Sequence, residues 1–111
     1  VFGLAHFDPE AKTNVWPIIA ATGVFGLAAA DLTARTGSIG AGWGLHLANN
    51  LHAVALISLP GPLSGLALYV TPYAADAPTQ PRRDILIGTA LIVLSWLLCR
   101  IAIARLNRTR R

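Results

Sequence analysis

Apolar positions gather along this chain into long blocks separated by short polar breaks, a pattern suited to lipid rather than to water. Three blocks, Val15 to Ala34, Ile39 to Leu59 and Ile85 to Ala104, approach the ~20 residues that a helix needs to cross a bilayer. A shorter block, Val1 to Phe7, reads as the end of an earlier helix. It stops at "DPE", because a residue that precedes proline, here Asp8, avoids helical geometry.

The breaks sharpen the element boundaries. Asn14 is placed to N-cap the first span, with Pro17 tolerated in its first turn, and Gly37 is a natural C-terminal stop. Asp31 and Arg35 lie four apart and are expected to form a surface ion pair, while Gly23, Gly26 and Ala30 make a small-residue stripe of the kind that brings helices close. Pro60, Gly61 and Pro62 interrupt the middle span. The run Leu63 to Val70 is too brief to cross alone and is open to three readings: a re-entrant piece, a half-helix or an interfacial segment. After a proline-rich polar loop, Asp84 is placed to cap the last span. The predicted fold is therefore all-α, a polytopic transmembrane helix bundle with about three full spans and the end of an earlier helix. Its divisions are 1–59, a broken helix and loop over 60–84, and a last helix with basic tail over 85–111.

Composition supports the membrane reading, since 54% of the residues are hydrophobic and only 13% are charged. The net charge of +4 is less informative than its distribution: Arg100, Arg105, Arg108, Arg110 and Arg111 cluster at the C-terminus. Directly after an apolar span, that cluster reads as a juxtamembrane anchor on anionic lipid and not as a nucleic-acid site, and it predicts a cytoplasmic C-terminus in a multi-pass cell-membrane protein. Arg82 and Arg83 count against that orientation. The single cysteine, Cys99, excludes an internal disulfide and any multi-cysteine metal site. The chain has no methionine and opens on "VFGLAHF", which reads as the C-terminal piece of a longer protein whose remaining N-terminal helices are its partners.

Polar residues inside the middle block carry the candidate chemistry. In "GWGLHLANNLHA", Gly42, His46, Asn49, Asn50 and Ala53 share one helical face, with His46 and Asn50 nearly above one another, whereas His52 projects elsewhere. Such a stripe belongs against the bundle interior or a wet cavity, where it serves either as interhelical hydrogen-bonding glue or as a site.

Two motifs, read together, resemble a known family. "FGLAH" places Phe2 and His6 as F-x-x-x-H, and "HLANN" places His46 and Asn50 as H-x-x-x-N, one transmembrane helix apart. In this the sequence resembles the CPBP family of intramembrane proteases, which includes the type II CAAX prenyl endopeptidases and immunity-related (Abi) proteins; the resemblance runs from Val1 to about Leu59. It implies an endopeptidase acting on a membrane-associated peptide or protein, with His6, His46 and Asn50 catalytic and Phe2 and Asn49 supporting. A glutamate of the family's E-E-x-x-x-R motif would be general base, and His6 and His46 would orient water or bind a metal such as Zn²⁺. That motif is absent here, and the sole glutamate, Glu10, falls in a loop, so this piece alone is expected to lack peptidase activity. Three other readings stay open: a non-enzymatic scaffold or immunity protein of the same family, a haem protein with His6 and His46 as axial ligands, and a transporter whose path only the His-Asn stripe would mark.

Overall fold

The computed structural model describes residues 1–62 and 64–109; Leu63, Arg110 and Arg111, which belong to the short apolar run and the basic tail discussed above, lie outside the described residues. Three α-helices dominate: α1 (Val15–Thr36), α2 (Ile39–Leu51) and α3 (Gln80–Thr109). Helix α1 is the central one, since α2 and α3 both pack along it. Two helical segments among the described residues are long and apolar enough to cross a membrane, Pro9–Thr36 and Gln80–Thr109.

Local sequence explains the ends of each element. The chain opens in a 3₁₀ turn, Leu4–His6, and becomes extended at Phe7 and Asp8, as the following Pro9 requires. A second 3₁₀ turn, Pro9–Asn14, then bends at Lys12, whose φ of 49° is a left-handed geometry that non-glycine residues rarely adopt. Asn14 stands at the N-cap position of α1 as expected, but its side chain makes no cap hydrogen bond. It is fully buried, and its amide donates instead to the carbonyls of Ala75 (2.7 Å) and Ala77 (2.9 Å) and accepts from Arg82 Nε (3.3 Å). The long-range loop offered this amide two acceptors where the helix end offered one donor. Lys12 and Asp76 form an ion pair at 2.7 Å beside it, so the segment from Ala75 to Ala77 is strapped down against the start of α1.

Helix α1 ends as the sequence predicts, on Gly37 in the left-handed conformation (φ 64°). Ser38 then caps α2 by accepting from the Gly40 amide. Tight packing at Gly42 sets the position of α2: a Cβ there would lie 2.7 Å from Thr33 Oγ1 and 3.1 Å from the Ala29 carbonyl. The expected pair Asp31 and Arg35 forms (2.9 Å), yet it is more than a surface contact. Trp96 Nε1 of α3 donates to Asp31 at 2.8 Å, and Arg100 lies 3.7 Å from it and 4.9 Å from the Trp96 ring centroid. This polar junction ties α1 to α3.

The middle block departs from the predicted span. Regular α-helix stops at Leu51, widens into a π-helical turn over His52–Leu56, and becomes extended at Ile57. Pro60 and Pro62 lack the amide protons that a continuing helix would need. Of the three readings of 63–70, the described part is none in pure form: a 3₁₀ turn at Ser64–Leu66 leads into Tyr69–Val70 (β2), which pairs in parallel with Ile57–Ser58 (β1). In place of the expected broken helix and loop over 60–84, the described residues of 60–79 form a looped excursion of turns, bends and the short β2, and 80–84 already belong to the last helix. Helix α3 starts at Gln80, so Asp84 lies within its second turn rather than at its cap and accepts from the Tyr73 hydroxyl. At thirty residues α3 is about 45 Å long, so it exceeds a ~30 Å hydrocarbon layer and carries Arg82 and Arg83 at one end and Arg105 and Arg108 at the other.

Candidate active site

The residues singled out by the sequence meet at one place. Phe2, His6, His46, Asn49 and Asn50 line a small cavity of about 110 Å³, together with Ala21, Thr22 and Phe25 of α1 and Ile92 of α3. Its geometry is set from the backbone upward. The turn Leu4–His6 lies on α1 because Gly3 presses against it: a Cβ on Gly3 would lie 2.6 Å from the Ile19 carbonyl and 3.1 Å from the Gly23 amide. Gly26 then receives the Phe2 ring, whose atoms lie 3.1–3.4 Å from where a Gly26 Cβ would be. The stripe of small residues on α1 thereby serves as the seat of the first motif.

From the other side, Gly42 brings α2 onto α1, and one turn later His46 reaches the same aromatic cluster. Its ring meets Phe25 at 5.2 Å with planes 66° apart and Phe2 at 6.1 Å and 88°. Phe2 also contacts the His6 ring at 4.9 Å. One phenylalanine therefore touches both imidazoles, and edge-on packing of this kind fixes ring orientation without consuming ring nitrogens.

The hydrogen bonds assign the His6 tautomer. His6 Nδ1 lies 3.0 Å from the Phe2 carbonyl oxygen, which can only accept, so Nδ1 carries the proton. Nε2 is left with its lone pair when the ring is neutral. Asn49, Asn50 and His46 make no side-chain hydrogen bonds among the described residues, although Asn49 is only partly exposed. The F-x-x-x-H spacing thus has a physical use, since it puts the Phe2 carbonyl four residues behind His6, where it anchors the ring.

Residues 1–52 match the family model described as Rce1-like, type II CAAX prenyl endopeptidase. The match covers just under half of the chain, and that stretch is similar to this protease family. The matched stretch holds every residue of the cavity except Ile92, so the part of the chain shared with this protease family and the part that builds the cavity coincide. No curated protein and no solved structure matches the chain.

For zinc, the matched segment supplies two imidazoles at this cavity, while a catalytic zinc takes three protein ligands. Among the described residues no three His, Cys, Asp or Glu side chains are grouped to hold a metal ion. Glu10 stands on the Pro9–Asn14 turn and does not line the cavity. These residues therefore do not make up a zinc site. Haem fits no better, because Phe2 contacts both imidazoles and the space is far smaller than a porphyrin.

Sequence reasoning had no claim on Phe25, Thr22 or Ile92, which complete the cavity wall. The signal for Thr22 and Phe25 was their spacing of three, one face of α1 that also carries Gly26. Nothing local marked Ile92. His52, set aside as pointing elsewhere, lines a second and larger chamber beyond Asn49.

Proposed function

We propose that the full-length protein is a membrane endopeptidase that hydrolyses a peptide bond of a membrane-associated peptide or protein at the cavity between Phe2, His46 and Asn50. The observation that carries this reading is the convergence of two imidazoles and a carboxamide, from separate elements, on one hollow inside the segment that matches the protease family.

In this mechanism His6, anchored through Nδ1 to the Phe2 carbonyl, presents Nε2 as the acceptor that orients a water molecule. His46, held edge-on by Phe2 and Phe25, stands across the cavity as a second polar wall. The Asn50 amide donates to the oxyanion that develops when water adds to the carbonyl, and Asn49 supports it. Deprotonating the water needs a base, and no carboxylate lines the cavity. The resemblance assigns that role to a glutamate of the family's E-E-x-x-x-R motif, which is not among the residues described at this cavity. The protein works in a cell membrane with the C-terminus of α3 on the cytoplasmic side, where Arg105 and Arg108 face anionic lipid headgroups. It has no nucleic-acid partner in this reading.

The missing carboxylate also favours a second reading, a non-catalytic relative that uses the same bundle as a scaffold or immunity protein. Hydrolysis of a membrane-embedded fluorogenic peptide by the full-length protein in ¹⁸O-water separates the two. The protease reading expects one ¹⁸O in the new carboxylate and a kcat about 10²-fold lower, at similar KM, for Asn50→Leu. Equal turnover by Asn50→Leu, or none by the wild type over a broad peptide set, favours the scaffold.

A further inference from the structure

Beside the small cavity lies a chamber of about 370 Å³, walled by α1, the π-helical turn, β1, the strapped loop and α3. The two share Ala21, Thr22, Asn49 and Ile92, so the chamber opens against the candidate reaction site with Asn49 at the threshold. Most of its wall comes from beyond residue 52, outside the segment matched to the family.

Its wall looks polar in the sequence and is apolar in the structure. Each hydroxyl on it is already satisfied: Thr22 donates to Ile18 and Ile19, Ser58 to Leu59, Thr71 to Tyr73, Thr89 to Ile85, all backbone carbonyls, and Tyr73 to the Asp84 carboxylate. Apart from Asn49, His52 and the Asp84 carboxylate, what remains facing the space is aliphatic, chiefly Ile18, Ala53, Ile57, Ile85 and Ile92. Among the described residues, only Asn49 and His52 of the wall's neutral side chains stay without hydrogen bonds, and both stand on the α2 side.

The geometry points to a specificity pocket: the chamber takes one bulky apolar side chain of the peptide next to the bond being cut, and Asn49 hydrogen-bonds that residue's backbone. This rests on the hydrolytic reading of the adjoining cavity and deepens it by naming what the substrate must carry. An apolar side chain gains by leaving water or lipid headgroups for these walls, whose one charged group, the Asp84 carboxylate, is engaged by the Tyr73 hydroxyl. The bridge between the chambers gives the peptide backbone a carboxamide that both donates and accepts.

Gly88 supplies the test, since it lines the chamber and a Cβ there meets no atom within 4 Å. Gly88→Leu fills the space without a backbone clash. The full-length protein is assayed on fluorogenic membrane peptides in which each residue around the cleaved bond is changed in turn from Leu to Ala. One position is expected to show a kcat/KM preference for Leu of about tenfold, and Gly88→Leu abolishes that preference by lowering kcat/KM for the Leu peptide about tenfold more than for the Ala peptide. Equal losses on both peptides, or an unchanged preference, overturn the proposal.

A second measurement does not need turnover. In an Ala53→Cys, Cys99→Ser background, maleimide labelling of Cys at 53 is expected to be slowed several-fold by the Leu peptide and not by the Ala peptide. Protection by neither peptide overturns the pocket. Protection without cleavage overturns the hydrolase and leaves the pocket standing.

Discussion

The cavity under His46 and the chamber behind Asn49 are neighbours built on opposite principles. In the first, ring faces are packed against one another and the polar tips of His46 and Asn50 are left uncommitted. In the second, the hydroxyl groups are committed, all but that of Tyr73 to backbone carbonyls, and the aliphatic surfaces are left open, with Asn49 and His52 uncommitted on the α2 side. Uncommitted polar groups are where bonds to a reacting molecule can form, and committed ones leave only shape to discriminate. The division follows the chain: the first hollow lies almost wholly within residues 1–52, while the second draws on the loop and on α3.

The most damaging change should be one that moves the two halves apart. Gly42→Leu places side-chain atoms where Thr33 Oγ1 and the Ala29 carbonyl already stand, so α2 must shift off α1. A loss of about 3 kcal/mol or more is expected in chemical unfolding, with cleavage abolished on every peptide. Asn14→Ala should do less and do it selectively. It strips a buried amide from two carbonyls and Arg82, costing about 2 kcal/mol, and loosens the strap that forms the chamber roof. Preference for Leu peptides should fall more than turnover of Ala peptides.

Weaker again is Asp31→Ala, which removes the acceptor shared by Arg35, Trp96 and Arg100 where α1 meets α3. Its melting temperature should drop by less than that of Asn14→Ala, with the peptide preference unchanged. Smallest is the response to acid. The hydrogen bond and charge of Lys12 hold the Asp76 carboxyl below the usual carboxylate range. A group whose folded pKa is lowered contributes stability above its unfolded pKa and loses it as pH falls through the folded value. Melting should therefore be flat near neutrality, decline slightly below the ordinary carboxylate range, and show less of that decline in Asp76→Asn.

How much of this was legible in the sequence depends on the range of the contacts involved. His6, His46 and Asn50 were found because helical spacing is local, and the stops at Asp8 and Gly37 follow from single-residue backbone preferences. The length of the middle span was overestimated, because hydropathy continues through His52–Leu56 while the backbone has already widened into a π turn. The position of Asn14 at the start of α1 was legible but the use of its side chain was not, because a cap is a local option and its actual partners, Ala75 and Ala77, are more than sixty residues away. The chamber was not legible at all: its walls join Ile18 to Ile92, and hydroxyl groups that look hydrophilic in a string of letters are spent on backbone carbonyls.

Two histidines on consecutive turns divide the two regions, and comparing them tests the central claim directly. In the full-length protein, His46→Ala and His52→Ala are assayed on the same Ala-bearing membrane peptide, with melting temperatures recorded for both. The account predicts that His46→Ala loses about 10³-fold or more in kcat while His52→Ala stays within about threefold, at similar stability. Comparable activity of the two variants, or a greater loss in His52→Ala, would contradict it.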